Sequence, residues 1–136
     1  MNIFIAVAAL VFSVLTAVTY WKAGNFKAKA SEETLLGAGM AWVKGRLGLT
    51  RVIAWLEILG AVGILAGPLG AWVTNFEWSK WIGVAAAAGL TLTMVVAFIM
   101  HAVRGEAKYT WKTNFGIIAI AAIATVLQAL VALPLF

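Results

Sequence analysis

The stretch WLEILGAVGIL, residues 55–65, decides the fold, because it sets one carboxylate inside an otherwise apolar run. The run is compatible with a helix and is far too apolar for a surface that faces water. Its acid, Glu57, is the only acidic residue within any of four long apolar stretches of the chain. A carboxylate that faces hydrocarbon costs at least a few kcal/mol. The stretch therefore predicts a membrane helix whose acid needs a partner or a function.

The composition extends this prediction to the whole chain. Hydrophobic residues make up 64% and charged residues 11% of the sequence, far from the roughly half and quarter that are usual in soluble domains. A chain of 136 residues has room for about four spans of about 20 residues and for no separate soluble module. We predict an all-α integral membrane protein with one domain, residues 1–136, folded as a four-helix transmembrane bundle. The predicted spans are residues 3–21, 52–72, 81–101 and 115–136.

The first span is predicted to be retained. It begins directly after Met1 and Asn2, has no basic leading region, and shows no small-residue cleavage site before Lys22. These features differ from those of a secretory signal peptide.

The basic residues predict the orientation of the bundle. Nine of them lie between the first and second spans or between the third and fourth, and only Lys80 lies between the second and third. Positively charged loops remain in the cytoplasm, so both termini are predicted to lie outside. The nine are Lys22, Lys27, Lys29, Lys44, Arg46, Arg51, Arg104, Lys108 and Lys112.

The first predicted cytoplasmic loop is long enough for local structure. Ser31 offers a capping side chain ahead of the acids Glu32 and Glu33, which suit a helix N-terminus. Apolar residues then recur at roughly helical spacing, which favours a short interfacial helix with Trp42 at the level of the lipid headgroups. An ordered loop without a helix is the alternative.

Small residues predict where the helices touch. Gly60, Gly63 and Gly67 lie along the second span, and Gly83 lies in the third. Small residues four apart let membrane helices approach closely. We interpret the four glycines as packing positions, and a glycine-lined cavity for a ligand is the alternative.

A polar cluster is predicted at the inner face. Glu57 lies near the inner end of the second span, and its side chain leans towards the helix N-terminus. His101 lies at the inner end of the third span and leans back into the membrane, so the two side chains converge. Arg104 follows on nearly the same helical face, and Lys22 and Arg51 mark the inner ends of neighbouring spans.

Three interpretations of Glu57 remain open from the residues alone. It can form a structural pair between helices, exchange protons or bind a ligand, or contact a lipid or a partner. His101 and Arg104 are the first candidates for its partner.

Several kinds of chemistry are not predicted. The chain has no cysteine and one histidine, so it lacks thiolate, iron–sulfur and bis-histidine haem ligands. His101 paired with Met94 has no specific spacing that supports a mixed haem site. We predict no catalytic residues and no metal site. The formal net charge of +5 is explained by loops beside membrane spans, so no nucleic-acid partner is expected.

Three segments of the chain resemble a known family. They are IAWLEILGAVGIL at residues 53–65 followed by Gly67 and Pro68, the third-span region from Gly89 to Glu106 with HAVRGE at residues 101–106, and TYWK at residues 19–22. This pattern resembles DoxX-like membrane proteins over most of the chain. Ala54 and Thr19 depart from it, because glycine is expected at both positions.

The resemblance implies a small four-helix bundle in a prokaryotic cytoplasmic membrane. The family takes its name from a subunit associated with quinol and sulfur-compound oxidation, and some members are linked to oxidative-stress enzymes. We therefore expect an integral membrane subunit or accessory protein of a larger redox or cell-envelope assembly. Its expected partners are membrane lipids and other membrane subunits, with a quinone or a bound lipid as ligand and no intrinsic cofactor. The alternative is a small transporter or channel that uses Glu57 for proton coupling.

An impermeant thiol reagent applied to intact cells tests the predicted orientation. Cysteines introduced at Lys27 and Lys108 should be protected, whereas one at Ser79 should react. The reverse labelling pattern would contradict the N-out, C-out assignment.

Overall fold

Residues 2–133 are described by the structure, a computed structural model. Over this range it is all-helical, which confirms the predicted fold class. The elements are α1 (Ile3–Lys29), α2 (Glu32–Gly37), a 3₁₀ turn (Ala41–Val43), α3 (Leu47–Thr74), α4 (Ser79–Val103) and α5 (Ala107–Ala132). The end of the fourth predicted span, residues 134–136, lies outside the described residues.

Four helices within the described range are long and apolar enough to cross a membrane, which makes the chain a multi-pass membrane protein. They occupy Ile3–Lys29, Leu47–Thr74, Ser79–Val103 and Trp111–Ala132. The first helix continues well past residue 21, where the predicted span ended. Lys22 marks a change in polarity, but residues 22–29 contain no proline to interrupt the helix. This extension brings Lys27 into the bundle.

The four spanning helices form a closed ring in which α1 and α4 each pack against α3 and α5. Two buried side chains form hydrogen bonds between the helices of the ring. The Tyr20 hydroxyl donates to the Leu90 carbonyl at 2.7 Å and so joins α1 to α4. The Gln128 amide nitrogen on α5 donates to Ser13 Oγ and to the Ile64 carbonyl, both at 2.8 Å. Polar side chains thus connect all four helices through their apolar core.

Glycines bring α3 and α4 into close contact. A Cβ on Gly60 would lie 2.6 Å from the Leu90 side chain, and one on Gly67 would lie 2.7 Å from the Gly83 Cα. The full ladder pairs Gly60 with Leu90, Gly63 with Ala86, Gly67 with Gly83, and Gly70 with Ser79. All four glycines that the sequence analysis selected for packing lie in this interface.

The loop between α1 and α3 folds against one end of the bundle. Leu35, Trp42 and Val43 are buried, and Ile53 of α3 and Met100 of α4 pack against them. Ser31 caps α2 as predicted, since its hydroxyl accepts a hydrogen bond from the Thr34 amide at 3.1 Å.

The predicted interfacial helix is shorter than its apolar pattern suggests. Helix α2 ends at Gly37, and Gly39 follows with a φ of 87°, a left-handed conformation that reverses the chain. Trp42 is only 8% exposed. Its ring therefore packs against protein, and its position at the level of the lipid headgroups stays a prediction.

We call the end of the bundle formed by residues 22–51 and 101–112 the basic end, since it carries nine of the ten Lys and Arg residues. The N-out orientation stays a prediction from this charge pattern. Lys27 and Ser79 are largely buried, so Lys29 at the basic end and Glu77 at the opposite end, both exposed, are the better positions for thiol labelling.

Replacement of Gly67 by alanine should destabilise the bundle by about 1–3 kcal/mol, because the new methyl group would overlap the backbone of α4. The matched control is Gly89→Ala on α4, where nothing lies within 4 Å of the added Cβ. Unfolding of both variants in the same detergent measures the difference. Equal stabilities would contradict the close contact of α3 and α4.

Candidate functional site

Glu57 lies inside the bundle and is paired with a lysine. Its side chain is only 4% exposed, and its Oε1 lies 2.5 Å from Lys27 Nζ, whose side chain is 12% exposed. The pair joins α1 to α3. Lys27 is therefore the partner that the buried carboxylate needs, since an opposite charge compensates for its lost hydration.

A close approach of the two helices places Lys27 beside Glu57. A Cβ on Gly24 would lie 2.8 Å from the Ile58 side chain and 2.9 Å from the Ala54 carbonyl oxygen. Lys27 lies three residues beyond Gly24, and Glu57 lies three residues beyond Ala54, so each lies close to the face that makes this contact. The absence of a side chain at Gly24 therefore sets the separation at which the ion pair forms.

The Arg51 side chain supports the same pair by binding the backbone of Lys27. Its Nη1 donates to the Lys27 carbonyl oxygen at 2.6 Å. That carbonyl belongs to the last turn of α1, where the helix itself provides no partner. Arg51 thus fixes the end of the helix that carries Lys27.

The remaining predicted members of the polar cluster lie apart from the ion pair. Arg104 Nε donates to Glu106 Oε1 at 2.7 Å, and His101 Nδ1 lies 3.7 Å from Glu106 Oε2, which is too long for a hydrogen bond. Lys22 is exposed and lines a separate groove between α1 and α3. The prediction that His101 or Arg104 comes first as the partner of Glu57 is therefore corrected to Lys27.

The sequence analysis missed Lys27 because the first span was ended too early. A lysine that follows an apolar run is normally the first charge of a loop. The signal that would have found it is the unbroken helical composition of residues 22–29, together with Gly24 one turn before the lysine.

A cavity of about 430 Å³ adjoins the ion pair at the basic end. The cavity begins where the close glycine contacts between α3 and α4 end, at Gly60. From there towards the basic end, the facing positions of the two helices carry larger side chains. Along α4 it extends from Leu92 to His101, a helix length of about 14 Å. Its lining comprises Lys27, Met40, Trp42, Ile53, Leu56, Glu57, Leu92, Thr93, Met94, Val96, Ala97, Met100, His101 and Asn114.

Three residues of this lining carry buried polar atoms that have no hydrogen-bond partner. The atoms are Glu57 Oε2, His101 Nδ1 and Asn114 Nδ2. Asn114 is 7% exposed and lies on α5. The sequence analysis missed it because the predicted fourth span began one residue later, at 115. Such atoms are unusual, since buried polar groups are nearly always hydrogen-bonded.

The mouth of the cavity lies on the lateral surface of the bundle. Leu56 of α3 and Leu92 and Val96 of α4 are 58%, 64% and 65% exposed, and all three belong to the lining. Apolar side chains exposed on a membrane helix face acyl chains. The cavity therefore opens between α3 and α4 to the bilayer. Arg104 does not line it.

Within residues 2–133, no three histidine, aspartate or glutamate side chains come together as a metal ion would require. What the arrangement offers is a buried charge pair next to a lipid-facing cavity. Such a site can bind an amphipathic molecule or hold a proton on a carboxylate.

Comparison with protein families finds a match over most of the chain. The model of the family described as DoxX-like matches residues 11–127, which include α3, α4 and most of α1 and α5. Comparisons with curated proteins and with solved structures find no match.

Replacement of Lys27 by methionine should destabilise the protein by about 3 kcal/mol, because it leaves the buried Glu57 carboxylate without a counter-charge. Lys29→Met is the control, since Lys29 lies on the same helix and is exposed. The double variant Lys27→Met with Glu57→Leu should recover much of the loss. Unfolding in detergent measures all three. A Lys27→Met protein as stable as the control would contradict the role of the pair.

Proposed function

The chain belongs to the DoxX-like family of membrane proteins, and from this premise we propose that it is an integral membrane subunit or accessory protein of a larger assembly. The proposed assembly is a redox or cell-envelope complex of a prokaryotic cytoplasmic membrane. With no cysteine and one histidine, the chain lacks ligands for metal-based electron transfer of its own. Electrons would therefore reach and leave the assembly through other subunits.

The observation that supports this proposal most directly is the Lys27–Glu57 ion pair. Glu57 is the acid on which transport chemistry would depend, yet one of its oxygens is bound to Lys27 across the α1–α3 interface. Both side chains are largely buried, so breaking the pair would leave a charge uncompensated. This arrangement favours a structural role for the acid over repeated exposure to water.

The surface of the bundle leaves room for partner helices. In the most apolar window of each spanning helix, the share of residues buried within the chain ranges from 17% in α4 to 33% in α3. The remaining faces contact lipid or other membrane subunits. In the proposal, α4 is the helix most available to a partner.

A quinone or a lipid is the proposed ligand of the cavity. The cavity opens to the bilayer, where both kinds of molecule are dissolved, and polar side chains form part of its lining. A ligand held there would contact Lys27, His101 or Asn114 through its head and the α4 side chains through its tail. Such a site suits a subunit that supplies a membrane-soluble molecule to its partners.

One observation favours a second function, proton-coupled transport. Glu57 Oε2 has no hydrogen-bond partner and belongs to a residue that lines a cavity with the only histidine of the chain. A carboxylate and an imidazole beside one cavity can pass a proton between them. In this alternative Lys27 would release Glu57 during each cycle.

Purification from native membranes in mild detergent should recover a stoichiometric protein partner. Glu57→Gln keeps the size and hydrogen-bonding capacity of the side chain, so the complex should remain assembled with a modest loss of stability. Glu57→Leu leaves the Lys27 ammonium unpaired and should reduce recovery of the complex more strongly. Glu77→Gln, at an exposed acid far from the cavity, is the control. A lone particle that retains function would contradict the subunit proposal.

The same variants separate the two functions. If the chain transports by proton coupling, Glu57→Gln should assemble fully and yet lose substrate-dependent proton flux in liposomes, because an amide does not exchange a proton as a carboxyl group does. Flux that survives the substitution would exclude Glu57 as the proton carrier.

A further inference from the structure

A groove between α1 and α3, separate from the cavity beside Glu57, opens on the lateral surface of the bundle. Its volume is about 460 Å³. Ala17 and Ala61 line its floor and are buried, whereas Val18 and Val62 line its rims and are 47% and 50% exposed. The small alanine side chains leave a channel between the two larger ridges. Acyl chains of the bilayer therefore have access to this α1–α3 groove.

The α1–α3 groove has its single charged residue at one end. On α3 the lining extends from Ala61 to Leu69, a helix length of about 12 Å. On α1 it extends from Ala17 to Lys22. Because α1 runs towards the basic end, Lys22 lies at the end of the groove nearest to it. A lipid whose chain lies along the groove would thus have its headgroup beside Lys22.

Lys22 has no counter-charge in the part of the chain that the structure describes. Lys27 pairs with Glu57, and Lys80 pairs with Glu77, whereas Lys22 forms no ion pair or side-chain hydrogen bond there. It is exposed and lies seven residues before the end of α1, about 10 Å along the helix axis. A lysine near the end of a spanning helix extends its ammonium to the headgroup layer, where lipid phosphates are the available anions.

The neighbourhood of Lys22 suits an anionic headgroup. Lys29 follows seven residues later on nearly the same face of α1 and is also exposed, so it adds positive potential. Trp21 lines the groove and is 49% exposed, and indole rings favour the boundary between headgroups and acyl chains. The described lining contains no acid that would repel a phosphate. A zwitterionic headgroup would bring a cation of its own towards the two lysines.

We propose that the α1–α3 groove binds an anionic phospholipid from the leaflet at the basic end, with its phosphate paired to Lys22 and one acyl chain lying along the groove as far as Leu69. Basic sites between membrane helices hold anionic headgroups in this way. The inference goes beyond the proposed subunit role, because the site belongs to one face of one chain and needs no partner protein.

Native mass spectrometry of the purified chain measures the preference for charge. The probes are dioleoylphosphatidylglycerol and dioleoylphosphatidylcholine, which share their acyl chains and differ in headgroup charge. We expect phosphatidylglycerol to bind about fivefold more tightly or better, since one lysine near a membrane surface contributes about that factor. Equal affinities would overturn the anionic headgroup. Glycerol phosphate that displaces the bound lipid as efficiently as phosphatidylglycerol does would overturn the contact with the acyl chain.

Three lysine variants connect this preference to the groove. Lys22→Met removes the charge and should lower the preference about fivefold, whereas Lys22→Arg keeps the charge and should retain it. Lys22 is exposed, so both substitutions leave the core intact. Lys44→Met is the matched control, because Lys44 is exposed at the same end and lies outside the groove. An unchanged preference in Lys22→Met, or an equal loss in Lys44→Met, would contradict the role of Lys22.

A phosphatidylglycerol with a diazirine in one acyl chain locates the ligand in membranes. Label on residues 61–69 of α3 supports the groove, whereas label confined to residues 92–101 of α4 excludes it. Ala66 lines the groove and is exposed, so Ala66→Phe should fill the channel and remove the label from α3. Ala85→Phe is the control, since Ala85 is exposed on α4 and lies outside the groove. Label that persists in Ala66→Phe would contradict the proposed position of the chain.

A single cysteine distinguishes a lipid in the groove from a second copy of the chain. The sequence contains no cysteine, so Val62→Cys places one thiol at the rim. Oxidation in membranes should produce no more disulfide-linked dimer than Val73→Cys, which is exposed outside the groove. A dimer that forms selectively through residue 62 would assign the groove to a protein contact and overturn the lipid site. None of these results depends on a partner subunit, so failure here leaves the subunit proposal standing.

Discussion

The ion pair between Lys27 and Glu57 is the constraint on which the basic end of this bundle depends. A carboxylate within a membrane helix must be compensated inside the protein, because the hydrocarbon provides neither water nor counter-ions. Helix α1 meets this need by continuing past its apolar section, so that Lys27 lies beside α3. Gly24 permits the approach, and Arg51 binds the last turn of α1.

The same architecture creates the cavity. Glycines and serine hold α3 against α4 from Gly70 to Gly60, and no glycine continues the ladder towards the basic end. Between the end of the ladder and the basic end, larger side chains separate α3 from α4 and leave a lateral space. Met40 and Trp42 of the loop between α1 and α3 close this space on one side. Close packing in one half of the interface therefore leaves room for a ligand in the other half.

Glu57 lies where these two features meet. One carboxylate oxygen stabilises the bundle through Lys27, and the other remains unpaired among residues that line the cavity. An unpaired buried oxygen has a cost that a well-packed core would avoid. The acid that stabilises the fold therefore also borders the cavity.

The family match and the four apolar helices both indicate a small multi-pass membrane protein. Two residues of the chain depart from the family pattern. The family match covers the spanning helices, in agreement with the resemblance carried by Glu57 and the segment from His101 to Glu106. Ala54 and Thr19, the two departures from the family pattern, lie on helices that contact each other. Ala54 is fully buried opposite Gly24, so a glycine on α1 provides the close contact for which a glycine at residue 54 was expected.

The sequence by itself determined the membrane class, the number of spans and the need to compensate one acid within them. These follow from local properties, since apolar length predicts a span and an acid within it demands compensation wherever the partner lies. Small residues at helical spacing also indicated packing positions without knowledge of the partner, and the four glycines lie at the contact of α3 with α4.

Only the tertiary structure decided which side chain compensates Glu57. His101 and Arg104 are close to the right depth, but pairing depends on the rotation and separation of helices, which a single sequence does not encode in any local pattern. Gly24 and the extended end of α1 brought Lys27 closer, and Glu106 engaged Arg104 instead. The cavity and the position of Asn114 beside it could not be predicted for the same reason, because a space between helices depends on how the helices pack.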